Sequence, residues 1–272
     1  PHTNCKISVT SSGSGYTSDN LSVDNFTIDI TAPSLAATTL VPSLTNDNTP
    51  NYTFSSNEAG TITYGGNCSS STTAAAADNN TITFNALGDA QHANCNITVR
   101  DNAGNTSSTL DVNSFTIDTT APSLSQVTAV STPDNDSTPS YTFSSNEAGV
   151  ITYSGGCGSS SSSATSGNNA VILTQSDNST ALSDGTYNCT IRVTDNASNT
   201  SNALSVTQFI IDTTGPTVAE VTAVTTPGND TTPRYIFSSN EAGTITYGGS
   251  CSSSTSAASA SNNTIDFNTL SV

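Results

Sequence analysis

The side chains able to do chemistry in this 272-residue chain are of few types: six cysteines, two histidines, and 21 Asp and Glu against four Lys and Arg. The cysteines stand at 5, 68, 95, 157, 189 and 251, and no two form the CxxC pair that a zinc site or a dithiol redox motif would use. They recur once after each ITY stretch and once in each later NC-containing stretch, which points to structural disulfides and an oxidising compartment. His2 and His92 have no cysteine or carboxylate constellation near them in sequence and are expected as surface side chains, neither metal ligands nor bases. Serine is abundant, but no nucleophile motif, phosphate loop or close carboxylate dyad recurs with it. The chemistry expected is cross-linking, not catalysis, and the chain is expected not to be an enzyme.

The charge balance narrows the partners. A net charge of -17 cannot hold a phosphate backbone or an anionic lipid surface, so nucleic acid and membrane insertion are both set aside as partners. There is no run of 18 apolar residues and no signal peptide with a basic n-region, so the sequence reads as a mature exported product or as a window of something longer. Asn-x-Ser/Thr sequons at Asn25, Asn51, Asn96 and Asn178 follow from the high Asn, Ser and Thr content and are read as chance matches.

The elements that must position the cysteines are repeated. TPNYTFSSNEAGTITYGGNC at 49–68 returns as TPSYTFSSNEAGVITYSGGC at 138–157 and as TPRYIFSSNEAGTITYGGSC at 232–251. A period near 90 residues is the length of one small β-sandwich, so the chain is a tandem array. Leu, Ile, Val and Phe make up only 49 of 272 residues, a supply that by itself leans towards disorder. Alternation overrules it: Tyr141 and Phe143, and Ile151 and Tyr153, put the apolar residues on one face of short strands, with Ser, Thr and Asn on the other.

In the first whole repeat the pattern predicts strands at 52–57, 61–65, 81–85, 95–100 and 110–117, with a weaker one near 35–41. Leu110 and Val112 share one parity and Phe115 and Ile117 the other, so a β-bulge or strand break is expected between them, as at Val23/Phe26 and Val206/Phe209. Pro33, in the TAP linker, stops strand pairing and stiffens the entry to the next unit. Tyr187, two residues before Cys189, sits where a tyrosine corner would, but an ordinary inward-facing tyrosine accounts for it equally well, and the matching positions 93 and 3 are Ala and Thr. The Ser/Thr/Ala tracts at 69–77, 158–166 and 252–261 are expected to pack through small side chains against a neighbouring domain or chain.

Four segments follow: 1–30, the C-terminal half of a domain; 31–119 and 120–213, two whole domains; and 214–272, an N-terminal half. Its Ile236, Ile245 and Phe267 are expected to face no second sheet. FNTLSV at 267–272 followed by PHTNC at 1–5 matches FNALGDAQHANC at 84–95 to within one residue in length. The last half is therefore expected to be completed by residues 1–30 of the next copy, either by head-to-tail self-association or within a longer repeat polypeptide. The same register pairs Cys68 with Cys95, Cys157 with Cys189, and Cys251 with Cys5 of the next copy, the alternative for the last two being free thiols.

Together, TPxYTFSSNEAGxITY, CxIxVxDNAxN and FTIDTTAP, repeated at this spacing over essentially the whole chain, resemble the bacterial Ig-like repeats of large secreted adhesins and surface fibre proteins. The resemblance implies an all-β fold of tandem immunoglobulin-like sandwiches arranged as a linear rod, an extracellular or cell-surface location, and calcium at the joints between domains. For calcium it implies two oxygen clusters, Asp29, Glu58 and Asp101 with Asn105, and Asp118, Glu147 and Asp195 with Asn199. The bland alternative is that these Asp and Asn stabilise turns while Glu58 and Glu147 face solvent. A third joint keeps Asp212 and Glu241, but its matching turn, TSSGSG at 10–15, lacks the Asp.

The function expected is structural: an extracellular filament or adhesin stalk for attachment or matrix formation. A module of an adhesin or phage fibre that binds a glycan or a receptor is the alternative, and exposed aromatic residues would favour it. The chain has no Trp, and most of its eight Tyr fall at inward strand positions.

Overall fold

The computed structural model describes residues 1–271 and is built of β-strands. In both whole repeats the motif that recurs in sequence forms the same pair of strands. Asn51–Ser56 and Ser140–Ser145 put Tyr52 and Phe54, and Tyr141 and Phe143, on a face with no solvent exposure, while the alternate Thr and Ser point outward. Cross-strand hydroxyl pairs cover the outer face, for example Thr53 with Thr81 at 2.9 Å.

Each whole repeat has the same topology. In the first, Leu35–Thr39, Asn51–Ser56 and Asp78–Thr83 form a three-stranded sheet, and Ala74–Ala75, Gly60–Gly65, Asn96–Asp101 and Leu110–Asp111 form a four-stranded one. Their inner faces enclose a core running from Val41 to Ile117, and an equivalent core runs from Val130 to Ile211. This is an immunoglobulin-like sandwich, with Cys68–Cys95 and Cys157–Cys189 bonded inside the two cores.

The parity change becomes a strand break. Leu110–Asp111 pairs with Asn96–Ile97 in one sheet, whereas Phe115–Ile117 pairs with Ala90–His92 and runs parallel to Leu44–Thr45 in another. Val112 and Phe115 are both buried, so changing sheets inside three residues is what lets both parities point at one core. In the second repeat Tyr187 Oη donates to the Ser183 carbonyl at 2.8 Å, tying the strand start back to the preceding crossover.

Three expectations need correction. The Ser/Thr/Ala tracts pack on their own domain: Ala74–Ala75 pairs with Gly60–Thr61, Ala75 and Ala164 join the cores, and Tyr64 Oη bonds the Thr72 carbonyl. Small side chains are needed there because the tract closes the sandwich edge. His92 is not a surface residue but 7% exposed, stacked on Phe115 with ring centroids 5.3 Å apart, since its strand lies over that core. Ile236 takes the place of Thr53 and Thr142 in its strand, on the face opposite Tyr235 and Phe237, so it does not belong to the uncovered inner face.

Residues 214–271 form only the first part of this plan. Val218–Thr222, Arg234–Ser239 and Asn262–Asp266 make the three-stranded sheet, but the next strand shrinks from six residues to two, Gly243–Thr244. Residues 1–30 hold a two-stranded ladder, Lys6–Ile7 with Leu21–Ser22, and a His2–Phe26 bridge.

Candidate functional site

Two joints bring carboxylates together, because Asp118, just after the strand Phe115–Ile117, and Asp29 at the matching place lie beside two turns of the following domain. Asp29, Glu58 and Asp101 offer one oxygen each, all within 4.8 Å of one another, and Asp118, Glu147 and Asp195 do the same. The Ser56 and Ser145 hydroxyls shape the Glu turns, each accepting from the Glu amide at 3.3 Å and donating to the Glu carbonyl. Asp101 and Asp195 are nearly buried and are held by the turn that follows them.

The asparagines act as struts more than as free ligands. Asn105 Nδ2 donates to Asp101 Oδ2 at 2.8 Å and to the Asp29 carbonyl at 3.2 Å. Asn199 Nδ2 donates to Asp195 Oδ2 at 2.9 Å and to the Asp118 carbonyl at 2.8 Å. In each case one amide group spans the joint, binding the end of one domain to the turn of the next.

The electrostatics follow from this geometry. Hydrogen bonds from Asn105, with the Asn105 and Gly104 amides, hold the Asp101 carboxyl below the usual range. Desolvation pushes Glu147 up, helped by Asp118 and Asp195. Among the described residues the one ion pair, Arg234 with Asp266, lies elsewhere, so no Lys or Arg neutralises either cluster.

The donor set suits a hard cation. Oxygens sharing one calcium at roughly 2.4 Å lie no more than about 5 Å apart, and the observed spacing falls inside that limit. Asp29, Glu58 and Asp101 would hold one ion and Asp118, Glu147 and Asp195 the other. Asp212 and Glu241 stand outside both groups.

Two further carboxylates, at the linkers, escape sequence reasoning. Asp89 accepts from the Thr119 amide at 3.1 Å, from its hydroxyl at 2.8 Å and from the Thr120 hydroxyl at 2.8 Å. Asp184 does the same with Thr213 and Thr214, at 2.8, 2.7 and 2.6 Å. The two threonine hydroxyls of each linker, chief among these contacts, lower both carboxyls. Each Asp holds the two linker threonines that follow the last strand and its Asp, tying the linker to the domain it leaves. The signal was present: an Asp stands six and five residues before the second cysteine of each whole repeat, with a Thr-Thr linker after the last strand. The linker at 29–33 has Ile30 where the others have Thr119 and Thr213.

Residues 124–213 match the family model described as the bacterial Ig-like domain. Among solved structures the chain is similar to the D00-D0 domain of Intimin, at 15% identity, covering 64% of this chain and 98% of that one with a TM-score of 0.30. No curated protein matches.

Proposed function

We propose, from the premise that residues 124–213 are a bacterial Ig-like domain, that the chain is a segment of an extracellular filament or adhesin stalk whose joints are stiffened by calcium. The observation that carries this reading is the repetition of one joint. A carboxylate triad and a spanning asparagine occur at 29/58/101 with Asn105 and again at 118/147/195 with Asn199. A stalk must resist bending between domains that are each rigid, and the joint is the one place where its stiffness is decided. When bound, calcium would replace mutual repulsion of three carboxylates with shared coordination from both sides of the linker. The disulfides support an exported location, because a cytosol would keep these thiols reduced.

Under this reading the protein works by extending and not by reacting. The glycan-binding alternative has less behind it. Tyr16 is the one exposed tyrosine among the described residues, at 82%, and a lone aromatic ring makes no stacking platform.

The test is small-angle scattering of the 272-residue chain in calcium and in excess chelator. The reading expects a stiff extended particle in calcium and a broadened distribution of dimensions in chelator, with the Glu58→Gln, Glu147→Gln double variant, altered at both joints, behaving in calcium as the wild type does in chelator. Superimposable profiles in both conditions would overturn calcium-stiffened joints.

A further inference from the structure

We propose that the crossover at 88–92 is a pH-sensitive latch on the linker at 119–120: neutral His92 holds it shut, and a proton on His92 opens it. The inference goes beyond the stalk reading and needs no bound cation.

Strand register, not sequence spacing, shows what His92 does. Counting back two residues from the second cysteine matches Tyr187 with Ala93. The ladders give another match, because His92 stands opposite Phe115 as Tyr187 stands opposite Phe209. The rings follow: His92 stacks on Phe115 with centroids 5.3 Å apart, and Tyr187 on Phe209 at 5.5 Å. Each ring also reaches the carbonyl four residues back. Tyr187 Oη donates to the Ser183 oxygen at 2.8 Å, and His92 Nε2 lies 3.1 Å from the Gly88 oxygen. His92 is therefore the corner residue of the first whole repeat, in the seat that the second gives to tyrosine.

That seat suits only a neutral imidazole. A carbonyl oxygen can only accept, so Nε2 carries the hydrogen and Nδ1 the lone pair. Nδ1 is buried without a hydrogen-bond partner, in a side chain 7% exposed. A second proton would put an unpaired donor and a positive charge there, which costs more than an unmet acceptor. Nothing nearby is placed to answer that charge. Asp89, on the same segment, turns its oxygens to Thr119 and Thr120, and Asp47, beyond Leu44–Thr45, bonds Thr49. Asp111 and Asp118 bracket the stretch 112–117, but none of these four pairs with the imidazole, since the one ion pair among the described residues is Arg234 with Asp266. Tyr52 and Tyr64 face this core, and burial raises both hydroxyls and so keeps them neutral. The tyrosine corner has no second ring nitrogen to protonate.

One short strand carries the effect to the linker. Ala90–His92 is an edge strand of three residues laid on Phe115–Ile117. The His92 ring fixes one end, and the other end follows Asp89, which holds Thr119 and Thr120. Displacing the ring frees a strand too short to stand on its backbone bonds alone, and with it the carboxylate that ties the linker down. The released state binds the proton that the packed ring cannot keep, so the latch gains stability as pH rises. Its opening belongs to the range where histidine ordinarily takes up a proton, around pH 6.5, well above the carboxylate range. On acidification the linker at 119–120 therefore loosens in two steps, first with His92 and then with Asp89, and the linker at 213–214 in one.

The experiment is amide hydrogen exchange of the 272-residue chain from about pH 7.5 to about pH 5, in excess chelator and scaled for the intrinsic rate. The amides of 90–92 and 119–120 should exchange at least about tenfold faster at the acid end, while those of 185–187 and 213–214 change less than about twofold. His92→Tyr, which installs the corner of the second repeat, should abolish the step. His92→Gln, smaller and unable to take the proton, gives the same readout if the larger ring crowds the core. Three results would overturn the proposal: no step at 119–120 in the wild type, an equal step at 213–214, or a step that persists in either folded variant. Calcium is absent throughout, so failure here leaves the scattering test of the stalk reading untouched.

Discussion

Residues 52–65 and 235–248 share almost one sequence and have different surroundings. Tyr52 and Phe54 are wholly buried, while Tyr235 and Phe237 stay half-buried at the rim of a cleft. The difference lies about 40 residues downstream, in the strands at 96–101 and 115–117 that cover the first copy and have no counterpart after the second among the described residues. Alternation of side chains settles which face of a strand is apolar, but burial is decided by whatever lies across from it. A repeat motif therefore specifies half a core and requires the other half.

The largest expected contrast between the closed and open copies is in the core. Phe54→Ala should destabilise its domain by about 3–5 kcal/mol in denaturant melts, and Phe237→Ala should cost well under half of that in the isolated chain. An equal cost in both would mean that the open half is already covered. Next comes cross-linking. Cys68–Cys95 and Cys157–Cys189 close loops of 27 and 32 residues, and reducing either should cost its domain about 3–4 kcal/mol. Cys251→Ser should leave both of those transitions where they are.

A smaller effect separates the two closed domains. Tyr141 Oη donates to Gln126 Oε1 at 3.2 Å, whereas Tyr52 Oη is buried without a partner, because Ala37 stands at the position of Gln126. Ala37→Gln should stabilise the first closed domain by about 1 kcal/mol, read as a rise in its melting temperature alone. An unchanged or lower melting temperature would mean that the glutamine does not reach the hydroxyl.

The smallest effect concerns the linkers and pH. Asp89 and Asp184 have carboxyls lowered by the threonines they clamp, below the ordinary value of 3.8. Their contribution is present above that value and is lost as pH falls through the lower folded-state value. Acidification over that window should release the linkers at 119–120 and 213–214, seen as faster amide exchange after scaling for the intrinsic rate, with the linker at 30–31 unaffected. Uniform behaviour of all three would remove the clamp from the account.

Much of this fold was legible in the sequence because repetition multiplies weak signals. The strand positions and a break near Val112 followed from side-chain parity, which the three copies state three times, whereas the change of sheet at that break is seen only in the structure. The short strands Leu44–Thr45 and Ala90–His92 did not, since two or three residues carry no period, and the lack of a ligand set near His92 says nothing of whether it is buried. At the joints the carboxylates that gather at 29/58/101 and 118/147/195 could be nominated from the resemblance, because they end strands or lie in turns that the fold puts at one pole. The Asp89 and Asp184 clamps could not be found by looking for a cation site, since these carboxylates spend their oxygens on threonine.

Amide hydrogen exchange resolved to the strand at 243–248, measured beside 60–65 in the same sample, tests the central claim most directly. In the 272-residue chain the amides of 246–248 should exchange orders of magnitude faster than those of 63–65, because only the latter face a long neighbouring strand. Equal protection of 246–248 and 63–65 would contradict the claim that burial of the repeated strand is decided by the strand lying across from it.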